Sequence, residues 1–402
     1  MTRMTVPHSS RRAREIQESP IRKLAPLADA ATAKGTRIFH LNIGQPDIPT
    51  PPDYWSAITS QLPPVLAYGP SNGLPDLRKA ISGYYGRAGI DVAPEEVLIT
   101  TGGSEAVVFA MMAVCDEGDE VVCFEPFYTN YNGFATMAGV RLVPVTSSPD
   151  DGFHLPDDEA IESRIGDRTR ALLICNPNNP TGTVLKREEV ERLAEIAKRR
   201  NLFLLADEVY RDFVFDGRSH ASVLEVSGCK DSVIVMDSIS KRFSSCGARL
   251  GDMVVRNPEL MAGILKFAQA RLCPPTLAQF GAIYMYDHLG EDYFSGVTST
   301  YQSRRDVLLE CLSGVEGVFF QKPEGAFYAM VGLPVDDTDD FAAWLLRDFS
   351  DAGETTMVAP GAGFYATPGL GKNEIRIAYV LEEARMRRAL EILGRGLAAY
   401  GA

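Results

Sequence analysis

The sequence is poor in histidine and tryptophan, with five His and two Trp among 402 residues. His8, His40, His154, His220 and His288 stand far apart, and none makes a metal-ligand spacing with a cysteine. No metal site is expected. The seven cysteines contain no CxxC pair. An odd, unpatterned set reads as free thiols in a reducing compartment, here the cytoplasm. No run of about eighteen apolar residues is present, so no membrane span is expected. Positive charge is also short: 40 Lys and Arg face 53 Asp and Glu, a net −13. That balance argues against a nucleic-acid partner. Internal repeats and low-complexity segments are missing as well.

What is present is the composition of an ordinary globular protein, 45% apolar and 23% charged. The length exceeds one simple core, so two domains are expected. Residues 1–19 are polar, with Arg3, Arg11, Arg12 and Arg14 and no apolar stretch, and read as a flexible tail. Residues 20–52 read as a segment joining the smaller domain. A helix spans Pro20 to Lys34 and stops at Gly35, a short strand spans Thr36 to Leu41, and Asn42–Pro52 is too rich in Pro and Gly for regular structure.

Over residues 53–288 short apolar strands alternate with helices. The strands are Val97–Thr100, Glu120–Phe124, Arg141–Val145, Ala171–Cys175, Leu202–Ala206 and Ser232–Asp237. This is the pattern of an α/β fold, a mostly parallel sheet with helices on both faces. Residues 289–402 mix helices and strands and read as a smaller α+β domain. Ligands of such sheets lie off the carboxyl ends of the strands. Four polar stretches fall there: Gly102–Ser104, Asn176–Gly182, Asp207–Tyr210 and Ser238–Arg249.

Each stretch has an ordinary reading beside a chemical one. Gly102-Gly103-Ser104 is either a tight turn with Ser104 as helix cap or a backbone cradle for an anion at a helix N-terminus. Asn176–Gly182 is a turn, or a turn that aims the Asn179 amide at a ring oxygen. Asp207, at the end of a buried strand, is a loop carboxylate or the partner of a cation. Tyr128 and Tyr210 are packing residues, or a stacking platform and a phenol donor. Lys241, among small residues, is a solvated lysine or an amine that bonds an aldehyde, with Ser238 and Arg249 suited to a phosphate. Arg376, flanked by Ile375 and Ile377, lies on an exposed face or is buried to clamp a carboxylate.

Taken together these motifs resemble the fold-type-I pyridoxal-phosphate enzymes, in particular the class I/II aminotransferases of the aspartate aminotransferase superfamily. The resemblance runs from about residue 20 to the end. It rests on Leu41–Asp47, Tyr68–Gly73, Thr101–Ser104, Asn176–Gly182, Asp207–Tyr210, Ser238–Lys241 with Arg249, and Glu374–Arg376. It implies pyridoxal phosphate as cofactor and Lys241 as the Schiff-base lysine. Asp207 would pair with the pyridine nitrogen, Asn179 and Tyr210 would bond the ring hydroxyl, and Tyr128 would stack on the ring. Gly103, Ser104, Ser238 and Arg249 would hold the phosphate. Tyr68 would reach the neighbouring subunit's site, which implies a homodimer. Gly44, Asn179 and Arg376 would bind substrate, Arg376 through its α-carboxylate.

The reading that results is an aminotransferase acting on an L-α-amino acid and a 2-oxo acid, 2-oxoglutarate being the expected acceptor and aspartate a candidate donor. An acidic side chain needs a second cation, for which Arg242 and Arg271 are candidates. A lyase or cyclase on the same scaffold would keep every residue named, and a non-catalytic binding module of this fold is a further alternative.

Overall fold

The computed structural model describes residues 7–401. Seven strands form one sheet, ordered Val97–Thr100, Gly251–Val255, Val233–Ser238, Phe203–Asp207, Thr169–Cys175, Glu120–Glu125, Arg141–Thr146. Only Gly251–Val255 runs antiparallel to its neighbours; the other pairs are parallel. Both faces are apolar because both are covered. Leu98, Val121, Leu173, Leu205, Ile234 and Met253 pack under the helices Gly102–Val114, Asn130–Ala138 and Pro258–Arg271. Ile99, Val122, Leu172, Leu204, Val235 and Val254 pack under Pro75–Arg87, Arg187–Arg199 and Thr276–His288. The mostly parallel α/β architecture expected from the strand pattern is therefore present.

A third core gathers chain from both ends. A four-stranded antiparallel sheet has the order Ala359–Pro360, Glu374–Ala378, Tyr328–Gly332, Phe319–Phe320. The strand Arg37–His40 pairs in parallel with Glu354–Met357. Leu24, Phe39 and Leu41 pack with Tyr301, Phe327, Phe341, Ile375 and Leu393 in one apolar cluster. Arg304, buried on the helix Glu291–Ser313, holds Asp47 at 2.6 Å.

Three elements differ from the sequence reading. The first long helix is shortened to Ala25–Ala33, and Ser19–Leu24 forms turns instead. Pro26 explains this, since its ring would collide with the carbonyl four residues earlier in a longer helix. Within the stretch read as a flexible tail, Arg11–Glu15 forms a short helix, capped by Ser10 accepting from the Ala13 N–H at 3.2 Å. Helices Pro258–Arg271 and Thr276–His288 occupy a stretch to which the sequence reading gives no elements. The second buries Ala278, Gln279, Gly281, Ala282, Met285 and Tyr286 along one face.

After the strand Val233–Ser238 comes a single helical turn, Ile239–Arg242, which carries Lys241. The turn is clamped from below by Arg242. This guanidinium is fully buried and donates to Asp212 at 2.5 Å, Asp237 at 2.6 Å and the Tyr286 hydroxyl at 2.9 Å. It also lies over the Tyr84 ring, 4.3 Å from its centroid. Arg242 is thus committed to two carboxylates beneath the sheet end and does not serve as a second substrate cation. Asp252 faces Asp237 across the adjacent strand pair. Burial, with the Asp237 charge beside it, pushes the Asp252 carboxyl up to about 8. Replacing Arg242 with methionine would leave Asp212 and Asp237 buried without their cation. Arg242→Met is expected to cost about 3–5 kcal/mol in a denaturant-unfolding measurement.

Candidate active site

Three strand ends meet where Lys241 emerges. Ser238 and Thr100 both pair with Gly251 in the sheet register. A side chain on Gly251 could not be accommodated: its Cβ would lie 2.6 Å from the Gly102 carbonyl carbon and 2.7 Å from both the Asp237 oxygen and the Gly103 nitrogen. The helix Gly102–Val114 begins in this close packing, with Gly102 at φ +74°. A Cβ at Gly102 would fall 2.5 Å from the Arg249 guanidinium. Arg249 itself holds the left-handed conformation, φ +52°, a costly one for a residue with a side chain. Gly103 and Ser104 at a helix start, Ser238 and the Arg249 guanidinium therefore border one cavity, a set of groups that suits an anion, and the Ser238 hydroxyl is itself held by Ser240 at 2.7 Å and the Leu250 carbonyl at 3.0 Å. Ser104 is not the helix cap, because the helix starts two residues before it.

These residues line a cavity of about 660 Å³. Gly44, Gly103, Ser104, Tyr128, Asn179, Asp207, Tyr210, Ser238, Lys241, Arg249 and Arg376 all border it. The Lys241 amine donates to the Gly44 carbonyl at 2.7 Å and approaches the Cys246 sulfur at 3.7 Å. Gly44 must be glycine, since a Cβ there would overlap the Tyr328 hydroxyl. Asp207 accepts from the Tyr131 hydroxyl at 2.7 Å and from the Val209 N–H at 3.3 Å. Burial outweighs those two bonds, and the Asp237 and Glu208 charges add to it, so the Asp207 carboxyl is pushed up to about 6. Such a carboxylate gains from a cation or an acidic N–H placed beside it. Tyr210 and Tyr328 share a hydrogen bond at 2.8 Å between their hydroxyls.

Arg376 is 1% exposed, yet no carboxylate oxygen lies within the 4.0 Å ion-pair distance among the described residues. Its two terminal nitrogens donate to Asn179 Oδ1 at 3.0 Å and to the Asn42 carbonyl at 2.6 Å. The Tyr328 and Phe364 rings flank it at 4.5 and 5.0 Å. Its Nε has no partner. Burial pulls the guanidinium below its ordinary value, opposed by the tyrosine oxygens around it. A buried guanidinium without an anion is a prepared carboxylate site.

Two residues from the sequence reading stand apart. Tyr68 is 80% exposed and does not line the cavity. Arg271 turns to Glu105 at 3.2 Å and to the Ile99 carbonyl at 3.1 Å, so it too is not a cavity cation. Conversely, Tyr131, Tyr328, Asn42, Cys246 and Arg22 belong to the site or its first supports and carry no local signal. The donor set fits pyridoxal phosphate: a helix start with serines and a guanidinium for the phosphate, a buried acid without an ion pair among the described residues, and a lysine, all on one cavity.

Comparison with known proteins agrees with this geometry. The sequence pattern of the family described as aminotransferase class I and II matches residues 36–393. The aspartate aminotransferase of Thermotoga maritima is 32% identical over 386 residues, covering 95% of this chain and 97% of its own. The aspartate/prephenate aminotransferase of Thermus thermophilus is 30% identical over 368 residues, covering 90% and 92%. Among solved structures, an alanine aminotransferase from Pyrococcus furiosus superimposes with a TM-score of 0.88 at 30% identity, over 98% of this chain and all of that one. The Thermus thermophilus aspartate aminotransferase solved with maleate gives 0.87 at 29% identity, over 97% of this chain and all of that one. The chain belongs to the aminotransferase class I and II family, the pyridoxal-phosphate-dependent transaminases.

Proposed function

We propose that this enzyme moves the amino group of an L-α-amino acid to a 2-oxo acid, with 2-oxoglutarate as one acceptor and an aspartate-like donor. The observation that carries the reading is Arg376, a buried guanidinium without a carboxylate partner, bordering the same cavity as Lys241 and Asp207. The relatives named as aspartate aminotransferases, and the one solved with maleate, support a donor of that type. A lyase or cyclase would keep the same residues; the family match and the relatives' names favour transfer.

Pyridoxal phosphate, when bound, supplies an aldehyde carbon and an electron-accepting pyridinium ring. The chain's own groups do the rest. Gly103, Ser104, Ser238 and Arg249 would hold the phosphate, helped by the helix N-terminus at Gly102. Asp207 keeps a proton at the ring nitrogen, and Tyr131 and Val209 fix its carboxylate in place. Asn179 and Tyr210 would hold the ring hydroxyl, and Tyr128 would pack on the ring. Arg376 binds the substrate α-carboxylate, with Gly44 bordering it. The Lys241 amine serves as the base that takes the substrate Cα proton and returns one during the second half of the cycle. Gly44 holds that amine through its carbonyl.

A homodimer is part of the proposal. Trp55, Leu62, Val65, Leu66 and Tyr68 are each at least 59% exposed within one short stretch. A surface of this kind is better covered by a second copy of the chain than left to water. The seven free thiols fit a reducing, cytoplasmic setting.

Lys241→Ala is expected to abolish the visible absorbance of the lysine-bound cofactor and to lower turnover by about 10²–10⁴-fold. Retention of the band would place the covalent site elsewhere. Wild-type enzyme given amino acids and no oxo acid is expected to stop after one aminated cofactor per site. Continued release of ammonia would instead mean a lyase.

Asp207 predicts a pH effect. Its folded carboxyl lies near 6 against an ordinary 3.8, so the folded state holds that proton more tightly. Stability is therefore complete below pH 4 and falls as pH rises through 6, by on the order of 3 kcal/mol. In cofactor-free protein Asp207→Asn is expected to be more stable than wild type at pH 8, with the gap closing near pH 4. The same variant should bind cofactor more weakly. Sedimentation of the holoenzyme is expected to give twice the chain mass, and a monomer with full activity would remove Tyr68 from the site.

A further inference from the structure

One cation in the cavity has no role so far. Four cationic side chains line it, Arg22, Lys241, Arg249 and Arg376, against the single carboxylate of Asp207. Lys241, Arg249 and Arg376 are used above. Arg22 is not, and the two arginines that the sequence offered for an acidic side chain are both committed elsewhere, Arg242 to Asp212 and Asp237, Arg271 to Glu105. The neighbouring Lys23 pairs with Asp339. Arg22 has no carboxylate oxygen within 4.0 Å among the described residues.

Arg22 sits on a segment that is held, not on a loose end. The Arg22 and Lys23 N–H groups both donate to the Ser19 carbonyl at 3.0 Å, forming a tight turn. Leu24 is buried in the third core. Pro20 fills the space over Gly363, where a Cβ would meet it closely. The decisive link is Asn42. Its amide donates to the Ile21 carbonyl at 3.1 Å, and its own carbonyl accepts from Arg376 at 2.6 Å. One residue thus sets the backbone next to Arg22 against the guanidinium that takes the α-carboxylate. Ser19, Ile21, Ile43, Gly44 and Gln45 complete that side of the wall.

Both charges are felt at the same atom. Burial pushes the Tyr128 hydroxyl up to about 12, Tyr328 and Asp207 add to the rise, and Arg376 and Arg22 oppose it. Both guanidinium groups line the cavity within electrostatic reach of Tyr128. A monocarboxylic substrate uses one of them and leaves the other with water. A dicarboxylic substrate can meet both, and a planar guanidinium offers a second carboxylate paired hydrogen bonds.

We propose that Arg22 binds the distal carboxylate of the substrate and so selects dicarboxylic amino acids and oxo acids, such as aspartate, glutamate and 2-oxoglutarate, over neutral ones. This rests on the aminotransferase reading and names its substrate class.

Equilibrium binding to the holoenzyme tests it without turnover. Succinate carries two carboxylates and propionate one, and neither has an amino group to transfer. Calorimetric titration of wild type, Arg22→Met and Arg22→Lys gives the succinate-to-propionate affinity ratio. Arg22→Met is expected to lower that ratio by about tenfold or more, the size of a lost charged hydrogen bond, and Arg22→Lys to restore part of it. In steady state, the KM for aspartate relative to that for alanine should rise in Arg22→Met. An unchanged ratio overturns the proposal, and so does an equal weakening of both acids, which would make Arg22 a scaffold residue. The aminotransferase reading fails on a different result, the lack of amino-group transfer from any donor by wild type. A wild-type preference for succinate that depends on Arg22 would support Arg22's role even then.

Discussion

The hydrogen bonds of Arg376 to Asn179 and to the Asn42 carbonyl join three parts of the chain that are far apart in sequence. Asn179 comes from the loop after a large-sheet strand, Asn42 from the N-terminal segment, and Arg376 from the antiparallel sheet. A guanidinium held this deep would be costly without donors satisfied and rings around it. Tyr328 and Phe364 supply the rings, and Tyr328 also limits position 44 to glycine and bonds Tyr210. Removing any of these would leave a buried polar group without its partner. The cavity is therefore defined by contacts between the cores, and not by any one of them.

A second constraint lies beneath the lysine. Lys241 faces the cavity while Arg242, the next residue, faces the opposite way into Asp212 and Asp237. A single helical turn separates the two directions, so the charge that anchors the turn cannot also reach substrate. The close backbone packing of Gly251 against Gly102, Gly103 and Asp237 fixes the other side. Lys241 and the start of the helix Gly102–Val114 are thus positioned by one closely packed corner of the sheet.

Much of the site is legible in the sequence. Asp207, Lys241 and Arg376 stand out because each is a charge adjoining a buried apolar strand. Gly102–Ser104 and Asn176–Gly182 stand out because turn residues follow such strands directly. The family resemblance gives these residues their roles. Arg22, Tyr131, Tyr328 and Asn42 are not legible, because nothing local distinguishes them from packing or surface residues. Their places depend on which turn of the fold they meet: Tyr131 on Asp207, Tyr328 on Gly44 and Tyr210, Asn42 on Ile21 and Arg376.

The sequence by itself determined the fold class, since continuous apolar strands alternating with helices need a mostly parallel sheet covered on both faces. The cofactor came through the resemblance of its motifs to a known family, not from any single residue type. Tertiary structure alone decided which arginines border the cavity. Side-chain direction follows from packing partners distant in sequence, so Arg242 and Arg271 were claimed by carboxylates, while Arg22 lines the cavity with no carboxylate partner among the described residues.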